Sequence, residues 1–373
     1  MSQYNLISAD SHVVEPRTMW IDYVDPAYRD RAPRNVVNPP GLKPGEYMFF
    51  EDMEPKSISG SFNAGRSPEQ NRAAEGETLD DGRLGGYIPA ERIPDLELDG
   101  IDAEVIYTTQ GFRMFAFTRD AALQSALFRG YNNWLAEFCS YDTKRFVGLG
   151  LIPLLDAQEG AKELRRCAEM GLRGGVIMTS PPDELSYGDP MYESFWATAA
   201  ELNMPISLHV NSGHGPETQK TGKFKSNHYL GVMSMIDEVK RSISEILFSG
   251  VLARHPQLKI VSAENDIGWI PHYVYRSDVW YHQQGWKTVT DLEMAPSEYA
   301  KRQIYGTFMD DAVGLMLTDY FGEDNFAWAS DYPHGASTFP NSHKIVDQNF
   351  DGISEEVKLK VTRTNAMRLY DME

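Results

Sequence analysis

Residues 146–179 read FVGLGLIPLLDAQEGAKELRRCAEMGLRGGVIMT, and this stretch decides the fold class. Apolar residues dominate Phe146–Ile152 and again Gly174–Thr179, as in strands that are buried on both faces. Between them lies an amphipathic helix pattern that begins at Asp156, a typical N-cap residue, and stops at Gly171. Two buried strands joined by a helix form a βαβ unit, which predicts a parallel sheet covered by helices.

The same alternation of short apolar runs and helical windows continues along the chain in both directions. Eight strand candidates in this order fit a (β/α)₈ TIM barrel, and barrels of this length commonly form one domain, here residues 1–373. The predicted strands are Tyr4–Ala9, Ala103–Thr108, Phe146–Ile152, Gly174–Thr179, Pro205–Val210, Leu258–Ala263, Gln303–Thr307 and Phe326–Ala329.

One long segment, about 33–94, interrupts this alternation. It is rich in Gly, Pro, Arg and Glu and has few periodic apolar residues, which predicts an insertion after the first strand. Such an insertion leaves the barrel at the carboxyl end of its strands, where active sites are built. We therefore expect it to act as a lid or as a subunit interface in a homo- or hetero-oligomer.

The composition narrows the class of partner and of metal ligand. Lys+Arg 35 against Asp+Glu 54 gives a net charge of −19, which disfavours nucleic acid and anionic membranes as partners. No apolar run is long enough to cross a bilayer and no secretory signal is visible, so a cytoplasmic location is expected. The only two cysteines, Cys139 and Cys167, lack zinc-site spacing, so any metal must have nitrogen and oxygen ligands.

Three predicted strand ends carry residues that bind metals. Asp10 and His12 alternate along the first strand and therefore point the same way. His209 lies at the end of the fifth strand, and Asp331 follows the eighth. Because the carboxyl ends of barrel strands converge on one mouth, these four residues predict a metal site with open positions for water or substrate.

Several segments resemble the amidohydrolase-related branch of the amidohydrolase superfamily, which includes aminocarboxymuconate-semialdehyde and resorcylate-type decarboxylases. The resemblance covers nearly the whole chain outside the insertion and implies a (β/α)₈ barrel with Asp10, His12, His209 and Asp331 as metal ligands. The segments that carry it are the first-strand motif, His209, Arg254-His255-Pro256-Gln257-Leu258-Lys259, Gly268-Trp269-Ile270-Pro271 and Ser330-Asp331-Tyr332-Pro333-His334.

One position departs from the decarboxylase pattern. Where those enzymes have a catalytic histidine after the sixth strand, this chain has Glu264. Adding Glu264, Glu15 and His334 to the four ligands gives seven, enough for two ions. This set is similar to that of the dinuclear iron or iron/manganese monooxygenases of the amidohydrolase fold, of which aminoisobutyrate hydroxylase is an example.

Simpler roles remain open for two of these seven residues. Glu15 precedes Pro16 and could cap the next segment, and His334 could hydrogen-bond a ligand from outside the site. Two further residues are candidates for substrate binding: Arg113, which follows the second strand, could hold a carboxylate, and His214 follows His209 closely.

The leading hypothesis is a dinuclear iron or iron/manganese monooxygenase that hydroxylates a small organic acid, with electrons supplied by an outside donor. Glu264 and Asp331 are its expected catalytic residues. The alternative is a hydrolase or non-oxidative decarboxylase with a single zinc or manganese ion. A third hypothesis is a metal-binding partner subunit without catalytic activity.

Overall fold

The computed structural model describes residues 4–73, 76–213, 228–287 and 292–372. Within these residues, nine short parallel strands form the central sheet of the protein, in two hydrogen-bonded groups of three and six strands. In chain order, with three insertion strands between the first two of them, they are β1 (Ile7–His12), β5 (Ala103–Tyr107), β6 (Phe146–Gly148), β7 (Gly150–Leu151), β8 (Gly175–Ile177), β9 (Ile206–His209), β10 (Ile260–Ala263), β11 (Ile304–Phe308) and β12 (Phe326–Trp328).

Backbone hydrogen bonds at two seams close this sheet into a barrel. At one seam, Asp331 N donates to Asp10 O at 3.0 Å and His12 N donates to Tyr332 O at 2.6 Å. At the other, Leu149 N donates to Ile106 O at 3.1 Å. Since β6 and β7 are the two halves of the predicted third strand, interrupted at Leu149, the TIM-barrel prediction is confirmed with eight strand positions.

Helices follow the strands, and Asp156 caps one of them as expected by accepting from Gln158 N at 2.9 Å. Among the described residues, no helix combines the length and hydropathy that crossing a membrane requires. The α-helices are α1 (Met19–Tyr23), α2 (Pro68–Ala73), α3 (Pro89–Asp99), α4 (Phe112–Phe117), α5 (Ala121–Ser140), α6 (Ala157–Glu169), α7 (Glu193–Glu201), α8 (His228–Phe248), α9 (Val251–Arg254), α10 (Trp269–Gln284), α11 (Pro296–Gln303), α12 (Ala312–Leu315), α13 (Ser342–Asn349), α14 (Glu355–Leu359) and α15 (Asn365–Leu369). Short 3₁₀ helices span Pro26–Arg31, Leu79–Asp81, Leu84–Gly86, Pro190–Tyr192 and Gly285–Lys287, and a π-helix spans Lys360–Thr364.

The insertion contains an antiparallel sheet that the sequence analysis did not predict. Its strands are β2 (Arg34–Val37), β3 (Glu46–Phe49) and β4 (Lys56–Ser57). Beyond β4 the insertion contacts the loop after β12: Ala64 N donates to Pro333 O at 3.0 Å and Gly335 N donates to Gly60 O at 2.9 Å. The barrel resumes with α3 at Pro89, before the predicted boundary at 94.

A fully buried ion pair joins α3 to the barrel. Arg92 and Glu104 have side chains that are 0% exposed and bond through two nitrogens and both carboxylate oxygens. The remaining terminal nitrogen of Arg92 donates to His12 O at 2.8 Å and to Gly85 O at 3.0 Å. This ion pair therefore holds the backbone of His12, the last residue of β1, in place.

Candidate metal centre

Three donor atoms converge inside the mouth of the barrel. Asp10 and His12 lie on β1, and His209 is the last residue of β9. Asp10 Oδ1 lies 3.4 Å from His12 Nε2 and 3.6 Å from His209 Nε2. All three atoms are buried, and none has a hydrogen-bond partner among the residues that the structure describes. Because buried polar atoms are nearly always paired, three such atoms facing each other indicate that this position binds a cation.

The spacing and chemistry of these donors fit a transition-metal ion. Atoms that each lie about 2.1 Å from one ion in tetrahedral or octahedral geometry are about 3.0–3.4 Å apart. The observed separations are close to this range. Two imidazoles with carboxylates suit zinc or manganese.

Asp331 and Glu264 complete the cluster from neighbouring strand ends. Asp331 Oδ1 lies 3.2 Å from His12 Nε2, and Glu264 Oε2 lies 3.2 Å from His209 Nε2 and 3.8 Å from His12 Nε2. Both acids have left-handed backbone, with φ of 60° at Asp331 and 52° at Glu264. Such backbone is uncommon outside glycine and costs energy, so its presence at both acids indicates that their side chains must be aimed here.

The electrostatics also favour a cation in the cluster. Burial alone would raise the pKa of Asp10 and of Asp331, but the neighbouring histidines outweigh burial and lower both pKa values. Burial, then repulsion from Asp331 and Asp10, raises the pKa of Glu264 well above its ordinary value. The crowding of three carboxyl groups therefore opposes ionisation of Glu264, and a divalent ion bound among them would relieve this repulsion.

Hydrogen bonds orient the two imidazoles within the cluster. His12 Nδ1 lies 2.7 Å from Thr108 O, and His209 Nδ1 lies 2.8 Å from Val210 O. A carbonyl oxygen can only accept, so Nδ1 carries the proton in both rings and Nε2 faces the cluster. This is the arrangement found for histidines that bind metals through Nε2.

His334 lies beside the cluster and both of its ring nitrogens have partners. Nδ1 is 2.8 Å from Asp331 Oδ1, and Nε2 is 3.0 Å from Thr109 Oγ1. Its distances would also allow it to share an ion with His12 and Asp331. In the hydrogen-bonded arrangement both nitrogens are used, and neither is directed at an ion.

The structure does not bring Glu15 to the donors, contrary to the seven-ligand expectation. Its carboxylate accepts from Thr108 Oγ1, from Gln110 N at 2.9 Å and from Gly111 N at 3.1 Å. β1 ends at His12, so side-chain alternation no longer fixes the direction of a residue three positions later. Glu15 instead binds the loop that follows β5.

Arg113 is one of the two residues expected to bind substrate, and it lies on α4. It directly follows Phe112, whose ring stacks on the His209 ring with centroids 4.3 Å apart. Burial lowers the pKa of Arg113. Lys56 of the insertion is a neighbouring cation that sequence reasoning missed; burial and then Arg113 lower its pKa. His214 lies outside the described residues.

Two cavities of about 550 Å³ lie at different parts of the fold. One is lined by Tyr4, Asp102 and Arg145, which precede barrel strands and lie away from the donors. The other is lined by Asp266, two residues beyond Glu264, by Ala336, two residues beyond His334, and by Arg66 of the insertion. Its lining includes residues that follow β10 and β12, so this cavity lies at the carboxyl end of the strands, as the donors do.

Comparison with known proteins identifies the family of this chain and solved structures with a similar fold. The model of a family described as amidohydrolase matches residues 86–372. Gamma-resorcylate decarboxylase of Rhodococcus jostii is 27% identical over 281 residues, covering 68% of this chain and 79% of that protein. An amidohydrolase from Mycobacterium avium subsp. paratuberculosis superposes with a TM-score of 0.81 at 19% identity, covering 99% of this chain and 100% of that chain.

A manganese-containing structure is also similar. Dihydroxybenzoic acid decarboxylase from Polaromonas sp. JS666, with bound manganese and the inhibitor 2-nitroresorcinol, has a TM-score of 0.68 at 19% identity, covering 99% of this chain and 98% of that chain. Curated relatives by sequence, such as the Rhodococcus enzyme, are decarboxylases, and the monooxygenase hypothesis is wrong. It rested on a count of seven ligands that included Glu15, whose carboxylate is directed elsewhere.

Proposed function

This chain belongs to the amidohydrolase family, and we propose that it is a metal-dependent, non-oxidative decarboxylase of a small aromatic carboxylate. The observation that carries the proposal is the convergence of the unpaired donor atoms of Asp10, His12 and His209 in a chain related to decarboxylases. A single divalent ion would account for these donors.

In this proposal Asp10, His12, His209 and Asp331 would hold one manganese or zinc ion, with Glu264, the residue directly after β10, beside them. The ion would supply Lewis acidity, which polarises a substrate oxygen and stabilises negative charge as it develops. Glu264 stands where the decarboxylases have a histidine, so at this position the chain has a carboxyl group in place of an imidazole.

The chain's own residues would bind the acid and move one proton. Arg113 and Lys56 offer positive charge for a carboxylate, and Phe112 offers an apolar ring beside His209. In the reaction the bond from ring carbon to carboxylate breaks, CO₂ leaves, and the carbon takes up a proton. Asp331, bonded to His334, is the group that we propose passes this proton.

The test is to load the protein with Mn²⁺ and supply gamma-resorcylate and a panel of other hydroxybenzoates in D₂O. We expect CO₂ and a product with one deuterium at the carbon that lost its carboxylate. His209→Ala should abolish turnover, whereas His282→Ala, at an exposed histidine on α10, is the matched control.

Hydrolysis is the second candidate, favoured by Glu264 because a carboxylate at this position can act as a general base toward water. Cleavage of aryl esters or amides by the Mn²⁺ or Zn²⁺ protein, without CO₂ release from any hydroxybenzoate, would support hydrolysis and contradict decarboxylation.

A further inference from the structure

Glu15 is a fully buried carboxylate whose partners are all uncharged. Its residue is 0% exposed, and the donors that contact its two oxygens are one hydroxyl and two backbone amides. Burying a carboxylate away from water is costly unless it is well hydrogen-bonded. The three hydrogen bonds to Glu15 are therefore what allow this carboxylate to be buried.

All three donors belong to the loop 108–111, which Glu15 binds at both ends. Gln110 Nε2 returns a hydrogen bond to Glu15 O at 3.2 Å, and Gly111 N also donates to Thr108 Oγ1 at 2.9 Å. A Cβ at Gly111 would lie 2.3 Å from Thr108 Oγ1, so only glycine fits. The loop is thus held in one conformation.

This loop and the residue after it contact each of the three histidines at the cluster. Thr108 O accepts from His12 Nδ1, Thr109 Oγ1 bonds His334 Nε2, and the Phe112 ring stacks on His209 at an interplanar angle of 24°. A shift of the loop would therefore change the direction of His12 Nε2 and remove support from the other two rings.

We propose that Glu15 is a positioning residue of the metal centre, which fixes loop 108–111 and through it the tautomer and direction of His12. This inference rests on the proposed function, since it assumes that the cluster binds a divalent ion. Residues that orient ligands in this way typically contribute about 10- to 100-fold to metal affinity.

The substitution Glu15→Gln tests this, because the amide keeps the shape but presents an NH₂ group to backbone N–H donors. Glu46→Gln is the matched control: Glu46 is also 0% exposed and accepts from Leu79 N at 2.9 Å and from Arg17, but lies in the insertion sheet. The readout is the dissociation constant for Mn²⁺, measured by electron paramagnetic resonance titration of free Mn²⁺.

We expect Glu15→Gln to weaken Mn²⁺ binding by about 10-fold or more and Glu46→Gln by less than about 2-fold. Thr108→Val removes one donor to Glu15 but keeps the carbonyl that His12 uses, and it should weaken Mn²⁺ binding by an intermediate factor. This second variant keeps the inference testable if Glu15→Gln does not fold. Wild-type affinity in both Glu15→Gln and Thr108→Val, or equal weakening in Glu46→Gln, would overturn the inference. Failure of the wild-type protein to bind Mn²⁺ would instead overturn the proposed function.

Discussion

Two buried polar clusters lie at the end of β1, and they differ in whether their atoms have partners. In the ligand cluster, Asp10 Oδ1, His12 Nε2 and His209 Nε2 face one another without a hydrogen bond. In the Arg92–Glu104 pair, which bonds the backbone of His12, both carboxylate oxygens and all three guanidinium nitrogens have partners. The pair is complete as it stands, whereas the ligand cluster is complete only with a cation.

This difference separates residues that serve function from residues that serve stability. Removing one member of a matched buried pair leaves an uncompensated charge, which destabilises the fold. Removing a donor that has no protein partner costs the fold less but removes a ligand. The predictions below test this division, from the largest expected effect to the smallest.

The largest effect is expected for His209→Gln in the ligand cluster. Loss of one ligand should lower kcat/KM on the order of 10⁴-fold, the size seen when an essential member of a catalytic unit is removed. The free energy of unfolding of the metal-free protein should change by less than about 2 kcal/mol, measured by urea denaturation. If His209→Gln destabilised the fold more than removal of the Arg92 guanidinium does, His209 would be a stability residue and the division would be contradicted.

For the matched pair, Arg92→Met should lower the free energy of unfolding by about 3–5 kcal/mol, because Glu104 is left buried and unpaired. The double variant Arg92→Met with Glu104→Leu should recover part of this loss. A double-mutant cycle by urea denaturation measures the coupling, and additive losses would contradict a tightly coupled pair.

Metal removal should affect stability through the ligand cluster alone. At a free Mn²⁺ concentration 100 times the dissociation constant, binding should stabilise the wild-type protein by about 2.7 kcal/mol relative to the chelated protein. His209→Gln should lose this increment, and Glu46→Gln should keep it. Calorimetric melting with and without chelator measures both.

The smallest effect on stability is expected for Glu193, whose ion pairs are partly exposed to solvent. Glu193 on α7 bonds Arg254 Nη2 at 2.9 Å and His255 Nε2 at 2.8 Å. Arg254 first and then His255 lower the pKa of Glu193, so its contribution is present above the ordinary value of 4.5 and is lost as pH falls through the lowered pKa. Solvent screening limits it to less than about 1 kcal/mol. Glu193→Gln should flatten this part of the pH dependence of unfolding.

Sequence periodicity was sufficient for the barrel because strands buried on both faces are uniformly apolar and helices carry clear caps. It also brought Asp10, His12, His209 and Asp331 together, since the carboxyl ends of barrel strands meet at one mouth. The first strand was predicted three residues early, at Tyr4–Ala9, and is found at Ile7–His12, where an irregularity between Ser8 and Ser11 interrupts its pairing with β5.

Side-chain direction beyond the strand ends could not be predicted. Glu15 is three residues past His12, where the chain has left the sheet, and it is directed to a loop more than ninety residues away in sequence. The partnership of Arg92 with Glu104 was hidden because Arg92 fell inside the predicted insertion. The count of nearby acidic residues included Glu15, and the oxygen chemistry inferred from that count was wrong.

Carbon dioxide release by the Mn²⁺-loaded protein under argon is the most direct test of the central claim, that this barrel uses one divalent ion for non-oxidative decarboxylation. We predict that at least one hydroxybenzoate is converted to the corresponding phenol with one CO₂ per product, at a rate that does not change when oxygen is admitted. Turnover that requires oxygen, or a product that gains a hydroxyl group while keeping its carboxylate, would contradict the account.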